Sequence, residues 1–300
     1  MPELHAPFPD TLRTPDGEHL AVRQWLVPQA RGIVQTLHGF GEHQGVFEGL
    51  ATVLNSAGWS VVGLDHRSHG RSTGTPGVIH DPMQLLHDQA LLADVLAARF
   101  RHCPHVLLGT SMGGMLAARF AAAQGMARQS DSQAPGWSRP VDGVVLIAPA
   151  LSVQLPAPQQ ATLSVLATLV PDLPVTLSHL QTWGNSNPEV LQAKLADPLI
   201  HTRLTPRVCQ FMLSTARDVF NDVAAWDTPT LLCASRDDKL VPVEACERFI
   251  RAVPGRFLRA QLYDDMAHDL LNEPCQADLH ALTLAWLDDL TGVHAQRAAG

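Results

Sequence analysis

The sequence lacks the features that would mark a membrane, secreted or nucleic-acid-binding protein. No stretch of its 300 residues reaches the roughly 18 uninterrupted apolar residues that a membrane span requires. Residues 1–20 have neither the basic segment nor the apolar core of a signal peptide. The formal net charge is −8, without a long basic run. We therefore expect a cytoplasmic protein that does not bind nucleic acid.

Patterns for disulfides and metals are also missing. The five cysteines are odd in number, widely spread and never in a C-x-x-C pair. The 15 histidines include no H-E-x-x-H or comparable spacing. These absences argue against a disulfide framework and against a structural zinc site. We expect buried free thiols, no metal and no cofactor.

What is present is an alternation of strand-like and helix-like segments through most of the chain. After a predicted opening hairpin, apolar runs such as GIVQTLHG, WSVVGLD and HVLLG alternate with amphipathic stretches, which predicts a mainly parallel sheet covered on both faces. One helix should run from an Asp81 N-cap to about Phe100. Another should end at Gly125, followed by a surface loop at 126–140.

The alternation lapses between residues 151 and 225, which predicts a helical insertion. Within it, Leu163, Leu166 and Val170 recur at helical spacing and either pack onto the core or form a lipid-facing lip; ordinary helix statistics favour packing. The predicted core domain comprises residues 1–150 and 226–300, with 151–225 as a cap.

The stretch LLGTSMGG contains the pattern G-x-S-x-G at Gly109 to Gly113, between an apolar strand and an alanine-rich helix. This is the sequence form of a nucleophile elbow, in which a serine occupies a strained turn and its hydroxyl projects from the edge of the sheet. The pattern alone is weak. Its context makes Ser111 a candidate nucleophile.

A serine hydroxyl needs a histidine base and a carboxylate that orients the histidine, in the chain order Ser, Asp, His. Asp237 and Asp238 follow one predicted strand and His268 follows the next. The carboxyl ends of parallel strands meet at one edge of a sheet, so these loops should converge on Ser111. Nearby acids, Asp264, Asp265 and Asp269, are less suited to reach the far ring nitrogen of His268.

Acyl transfer also needs donors for the oxyanion. The loop LHGFGEH can present the backbone N–H of Phe40, opposite the N–H of Met112. A second loop, DHRSHGRSTG at 65–74, lacks suitable carboxylate or thiolate ligands, and we interpret it as structural.

These segments resemble the α/β-hydrolase superfamily, and within it the monoacylglycerol lipase and lysophospholipase-like family, over nearly the whole chain. HGFGEHQG is similar to that family's oxyanion loop H-G-x-G-E-H, DHRSHGRSTG to its D-H-R-G-H-G-x-S-x-G segment, and GTSMGG to its elbow G-H-S-M-G-G. The segments ADPLI, DKLVP and AHDLLNEP resemble further landmarks.

The resemblance implies a fold and a set of roles. The fold is an α/β-hydrolase with a mostly parallel eight-stranded sheet, helices on both faces and a mobile helical cap over an apolar acyl pocket. Ser111 would be the nucleophile, His268 the base and Asp238 the acid, because the family's D-x-x-V pattern matches Asp238 to Val241; Asp237 is the fallback.

Three positions depart from the family pattern: Thr110 replaces a histidine, Ser68 a glycine, and Val46 an arginine that is frequent in relatives acting on glycerol esters. Thr110 and Val46 lie where a polar head group would sit; they leave ester hydrolysis intact and weaken the case for monoacylglycerol itself. As substrate-binding positions we predict Thr110, Val46, Leu163 and Leu166.

The sequence therefore predicts a serine carboxylic ester hydrolase for apolar acyl esters, which contacts lipid surfaces transiently through its cap. One alternative is a serine aminopeptidase of the same fold, which needs an acidic cluster for the substrate's amine; Glu42 and the few acids of the cap do not clearly provide one. The other is a catalytically silent binding protein.

Overall fold

The computed structural model describes residues 8–130, 133–152, 157–177 and 184–292. Its centre is an eight-stranded sheet in the order β1-β2-β4-β3-β5-β6-β9-β10. A separate two-stranded sheet, β7-β8, lies in the predicted cap. The strands are β1 Thr11–Arg13, β2 His19–Trp25, β3 Gly32–Leu37, β4 Trp59–Leu64, β5 His105–Thr110, β6 Gly143–Ile147, β7 Val175–Thr176, β8 Arg203–Leu204, β9 Thr230–Ser235 and β10 Leu258–Tyr263.

Helices follow the strands in the alternation that the sequence predicts. Short 3-10 turns stand at Gln44–Phe47, Val223–Ala225 and Gly255–Phe257. The α-helices are α1 Glu48–Ser56, α2 Gln84–Arg99, α3 Met112–Ser130, α4 Ala157–Leu169, α5 Pro188–Ala196, α6 Pro206–Asp222, α7 Val243–Ala252 and α8 Gln276–Leu290.

The sheet is parallel from β4 to β10, and only β1 and β2 run antiparallel to their neighbours. The strands β3, β4, β6 and β9 are buried along their whole length, as expected for strands covered on both faces. Helices α1 and α8 contribute to the apolar cluster on one face, and α2, α3, α6 and α7 to the cluster on the other. The expected α/β-hydrolase architecture with eight strands is confirmed.

Two helix boundaries differ from the prediction. Helix α3 continues past Gly125 to Ser130, so the surface loop begins later than expected. A β-carbon at Gly125 would lie 2.1 Å from the carbonyl oxygen of Ala225, so this glycine permits a close approach of backbone instead of ending the helix. Helix α2 begins at Gln84, and the carboxylate of Asp81 accepts a hydrogen bond from the N–H of Met83 in the turn before it.

In the predicted cap, α4 lies against α6, and α6 packs against the core helix α3. Residues 153–156 and 178–183 of this segment lie outside the described residues. The pair β7-β8 was not predicted, because two-residue strands leave no periodic signal. The expectation that the apolar residues of this region pack onto the core is wrong for Leu166 and Val170, which are exposed, while Leu163 is half-buried.

Among the residues that the structure describes, no helix has both the length and the apolar character needed to cross a bilayer.

Candidate active site

Ser111 lies at the sharp turn between β5 and α3. Its φ of 52° is in the left-handed region that non-glycine residues rarely occupy. Three backbone hydrogen bonds hold it there: its N–H donates to Ile147, and its carbonyl accepts from Met115 and Ala150. The turn is therefore fixed by the surrounding backbone, as a nucleophile elbow requires.

The glycines of the elbow are needed for space. A β-carbon at Gly109 would lie 2.2 Å from the carbonyl oxygen of Gly113, and one at Gly113 would lie 2.0 Å from the carbonyl oxygen of Leu37. The start of α3 is thus pressed against the end of β3, where the predicted oxyanion loop begins. Position 39 is less tight but also close to the serine, since a β-carbon there would lie 3.3 Å from the β-carbon of Ser111.

His268 follows β10, and Asp238 follows β9, the neighbouring strand in the sheet. Nδ1 of His268 lies 2.6 Å from Oδ2 of Asp238, and both side chains are buried. The other oxygen of Asp238 accepts hydrogen bonds from the N–H groups of Leu240 and Val241. The carboxylate is therefore held rigidly, and it orients the imidazole through Nδ1 so that Nε2 is left for a reaction partner.

Asp237, the fallback for the acid, has a different contact. Its carboxylate accepts a hydrogen bond from the N–H of Asp265 over 2.7 Å, at the exposed side of the loop. The structure thus brings Asp238, and not Asp237, to His268.

The charge around His268 favours its protonated form. Burial by itself would lower the pKa of the imidazole, but the Asp238 carboxylate outweighs it, helped by Glu42 and Asp269, so the pKa is raised above its usual value. Such an imidazole is a strengthened base, and more of it is protonated at neutral pH.

The predicted oxyanion donors belong to two segments that adjoin Ser111. Met112 is the first residue of α3, so its N–H has no partner within the helix. Phe40 follows Gly39, whose backbone lies beside Ser111. The ring of Phe40 packs edge-on against His69 and His201, with centroid distances of 5.3 and 5.5 Å. This packing holds the predicted oxyanion loop in place.

The loop 65–74 supports the oxyanion loop, as its structural interpretation predicts. The Asp65 carboxylate accepts hydrogen bonds from the N–H groups of Gln44 and Arg71. Nε2 of His38 accepts one from the N–H of His66. Ser68, in place of the family's glycine, adopts a φ of 63°.

Sequence reasoning missed a buried charge network beside His268. The ammonium group of Lys194, on α5, lies 2.7 Å from Oε1 of Glu42 and 2.8 Å from Oδ2 of Asp269. Burial alone would lower the pKa of Lys194, but the two carboxylates raise it, so the lysine stays protonated. Glu42 and Asp269 therefore form an acidic cluster that the sequence did not clearly show, and the ammonium group of Lys194 already binds both carboxylates.

The predicted substrate-binding residues are scattered. Thr110 directly precedes Ser111 and its side chain is buried. Val46 packs against the apolar cluster that includes α1. Leu163 and Leu166 lie on α4 in the predicted cap. Their contact with substrate remains a prediction.

Within the described ranges, no group of three or more histidine, cysteine, aspartate or glutamate side chains is arranged to hold a metal ion.

Comparison with known proteins agrees with this geometry. The family model described as "Serine aminopeptidase, S33" matches residues 28–275. A monoacylglycerol lipase of Mycolicibacterium smegmatis is 28% identical over 249 residues, covering 82% of this chain and 84% of that protein. A human monoglyceride lipase is 28% identical over 268 residues, covering 86% and 82%.

Solved structures show the same fold. A soluble variant of a monoglyceride lipase from Saccharomyces cerevisiae, in complex with a substrate analog, superposes with a TM-score of 0.80 at 19% identity, over 96% of this chain and 97% of that one. A monoacylglycerol lipase of Paleococcus ferrophilus gives a TM-score of 0.76 at 23% identity, over 90% and 99%. The chain therefore belongs to the serine aminopeptidase S33 family, as a monoacylglycerol lipase-like α/β-hydrolase.

Proposed function

We propose that this protein is a serine carboxylic ester hydrolase that cleaves apolar acyl esters through an acyl-enzyme on Ser111. The observation that carries the proposal is the buried pair of His268 and Asp238, 2.6 Å apart, at the same sheet edge as the strained turn of Ser111. The lipase-like relatives support ester hydrolysis as the reaction class.

In the first half of the reaction, His268 takes the proton of the Ser111 hydroxyl while the serine oxygen attacks the ester carbonyl carbon. Asp238 stabilises the imidazolium that forms. The N–H groups of Phe40 and Met112 donate to the carbonyl oxygen as it becomes an anion. The bond to the leaving alcohol then breaks, and the alcohol oxygen takes the proton from His268.

In the second half, His268 removes a proton from water, and the hydroxide attacks the acyl-enzyme carbonyl. The bond to Ser111 breaks, its oxygen recovers the proton, and a carboxylic acid leaves. Water is the only co-reactant, and each proton that His268 accepts is returned.

We further propose that residues 151–225 form a cap over the acyl pocket and contact lipid surfaces transiently. The support is a group of exposed apolar side chains on and after α4: Val165, Leu166, Leu169, Val170, Leu173 and Val175. Large apolar side chains exposed together are typical of surfaces that meet a lipid or a partner. The cytoplasmic location favoured by the sequence stays a prediction.

A serine aminopeptidase of the same fold is the second candidate, because the matching family carries that description. It needs free carboxylates for the substrate's amine, whereas two carboxylates beside His268, those of Glu42 and Asp269, already bind Lys194. This contact favours the esterase.

The test is a comparison of wild type and Ser111→Ala on p-nitrophenyl esters from acetate to palmitate, beside 1-monooleoylglycerol, a lysophospholipid and an aminoacyl anilide. We expect ester turnover by the wild type and a loss of about 10⁵-fold or more in the variant, as for other serine hydrolases. Cleavage of the anilide alone would support the peptidase. Absence of both activities, together with no labelling of Ser111 by a fluorophosphonate, would support a silent binding protein.

A further inference from the structure

Lysine is rare in this chain, and one of its two lysines is half-buried at the candidate site. Lys194 and Lys239 are the only lysines among the 21 Lys and Arg residues. Lys239 is exposed, whereas the side chain of Lys194 is 20% exposed and its ammonium group lies between two carboxylates. A buried ammonium ion is stable only with such pairing.

The two carboxylates adjoin the reacting groups. Asp269 directly follows His268, and both Asp269 and Glu42 raise the pKa of that histidine. A point at the β-carbon position of Gly39 lies 2.7 Å from Oε2 of Glu42 and 3.3 Å from the β-carbon of Ser111. The Glu42 carboxylate is therefore close enough to Ser111 to contact a group next to a bound ester.

Asp269 is held in place independently of Lys194. Its Oδ2 accepts hydrogen bonds from the side-chain amides of Asn272, over 2.9 Å, and Asn185, over 3.2 Å. Its N–H donates to the carbonyl of Gly184. The pair of carboxylates, which we name the ammonium seat, therefore belongs to two core residues, with Asp269 positioned by Asn272 and by Gly184 and Asn185 of the segment 151–225. Helix α5 supplies the ion that fills it.

We propose that Lys194 is a specificity-determining residue: by filling the ammonium seat, it restricts the enzyme to esters without a cationic amine near the scissile bond. This inference rests on the proposed ester hydrolysis at Ser111. A substrate ammonium ion would meet a like charge and find no free carboxylate, whereas a neutral ester meets neither cost. Removal of Lys194 should leave two carboxylates that accept an ammonium ion from the substrate.

The test uses pairs of esters that differ only by an ammonium group in place of a methyl group. Ethyl glycinate and ethyl propionate place the difference on the acyl side; 2-aminoethyl acetate and propyl acetate place it on the alcohol side. In Lys194→Met we expect the ratio of kcat/KM, amine ester over neutral ester, to rise about tenfold or more in at least one pair. The matched control Lys239→Met removes the exposed lysine and should leave both ratios as in the wild type.

A second measurement does not need activity. Methylammonium chloride should raise the Tm of Lys194→Met, because the free ion occupies the ammonium seat. In wild type and Lys239→Met, it should change the Tm no more than sodium chloride at the same concentration does. If Lys194→Met does not fold, Lys194→Gln keeps amide donors for both carboxylates without the charge and serves in both experiments.

The outcomes separate the two proposals. Unchanged ester ratios and no effect of methylammonium in a folded variant would overturn the role of Lys194, even with full esterase activity in the wild type. If the wild type hydrolyses no ester, the proposed function fails by itself, and the melting experiment still decides whether residue 194 fills an ammonium seat.

Discussion

The two sides of the candidate site are held by different forces. On the core side, backbone fixes Ser111 and Asp238: the serine is locked by three main-chain hydrogen bonds, and the aspartate accepts two main-chain N–H groups. On the cap side, Lys194 is held by two ion pairs with side chains of the core. Near it, His43 and Asp197 form a further contact of 3.0 Å between the two sides.

Under the proposed function, the core side carries out the reaction, and the side of Lys194 selects the substrate. A turn built from close backbone contacts, such as that of Ser111, resists displacement because its movement meets a steric barrier. The contact of Lys194 depends on charge and responds to substitution of a single charge, since breaking an ion pair that is largely shielded from water leaves its partner uncompensated. We therefore expect core substitutions to abolish the reaction or the fold, and cap-side charge substitutions to tune it.

The largest effect should come from Asp238→Asn. The amide cannot accept the Nδ1–H of His268 in the same way, so the imidazole adopts the wrong tautomer, and kcat should fall about 10⁴-fold. Asp237→Asn is the matched control and should stay within about threefold of wild type, as an exposed substitution does. Equal losses in the two variants, measured by ester turnover, would contradict the assignment of Asp238.

Gly113→Ala tests the steric basis of the core side. Helix propensity alone would favour alanine by about 1 kcal/mol, but the added β-carbon would lie 2.0 Å from the carbonyl oxygen of Leu37. We expect a loss of about 3 kcal/mol in the free energy of unfolding, from denaturant titration. At Gly255, where a β-carbon meets nothing within 4 Å, alanine should be neutral. A Gly113→Ala variant as stable as wild type would refute the steric account.

Glu42→Gln tests, through the pH profile, the charge coupling between His268 and the core carboxylate that binds Lys194. His268 must be neutral to act as a base, and its raised pKa places the acid limb of kcat/KM above the usual histidine range. Removal of the Glu42 charge lowers that pKa, so the limb should move to lower pH. Asp264→Asn, at an exposed carboxylate bonded to Arg236, should not move it. A shift to higher pH in Glu42→Gln would show that the coupling is wrongly assigned.

The smallest effect on stability should come from Leu169→Ser, because Leu169 is 73% exposed. The free energy of unfolding should change by no more than about 0.5 kcal/mol, while binding to phosphatidylcholine vesicles should weaken about tenfold through the lost apolar contact. Met126→Ser, an exposed apolar residue on the core helix α3, is the control for vesicle binding. Equal vesicle binding by Leu169→Ser and wild type would argue against lipid contact at this part of the cap.

Much of the core side could be predicted because its signals are local. The G-x-S-x-G pattern contains its own steric reason in Gly109 and Gly113, and strand periodicity places the loops of Asp238 and His268 at one sheet edge. Predictions that depend on which distant segment contacts a residue were less accurate. The sequence predicts that a helix ends at Gly125, yet this glycine permits a close approach of the backbone of Ala225.

The cap side shows the same limit more strongly. Nothing near Lys194 in the sequence indicates that its ammonium group meets Glu42, 152 positions away, or Asp269. The apolar spacing of Leu166 and Val170 is equally compatible with packing and with exposure. Periodicity specifies a helix face, but not the neighbour of that face.

The sequence by itself determined the alternating α/β fold and the strained serine turn, because each depends on the conformational limits of consecutive residues, and it fixed the chain order of the candidate nucleophile, acid and base. Tertiary structure alone decided which aspartate meets the histidine, where α3 ends and which ion fills the seat beside the serine. Those outcomes depend on distances between segments far apart in the chain, and such distances exist only once the sheet and the cap have packed together.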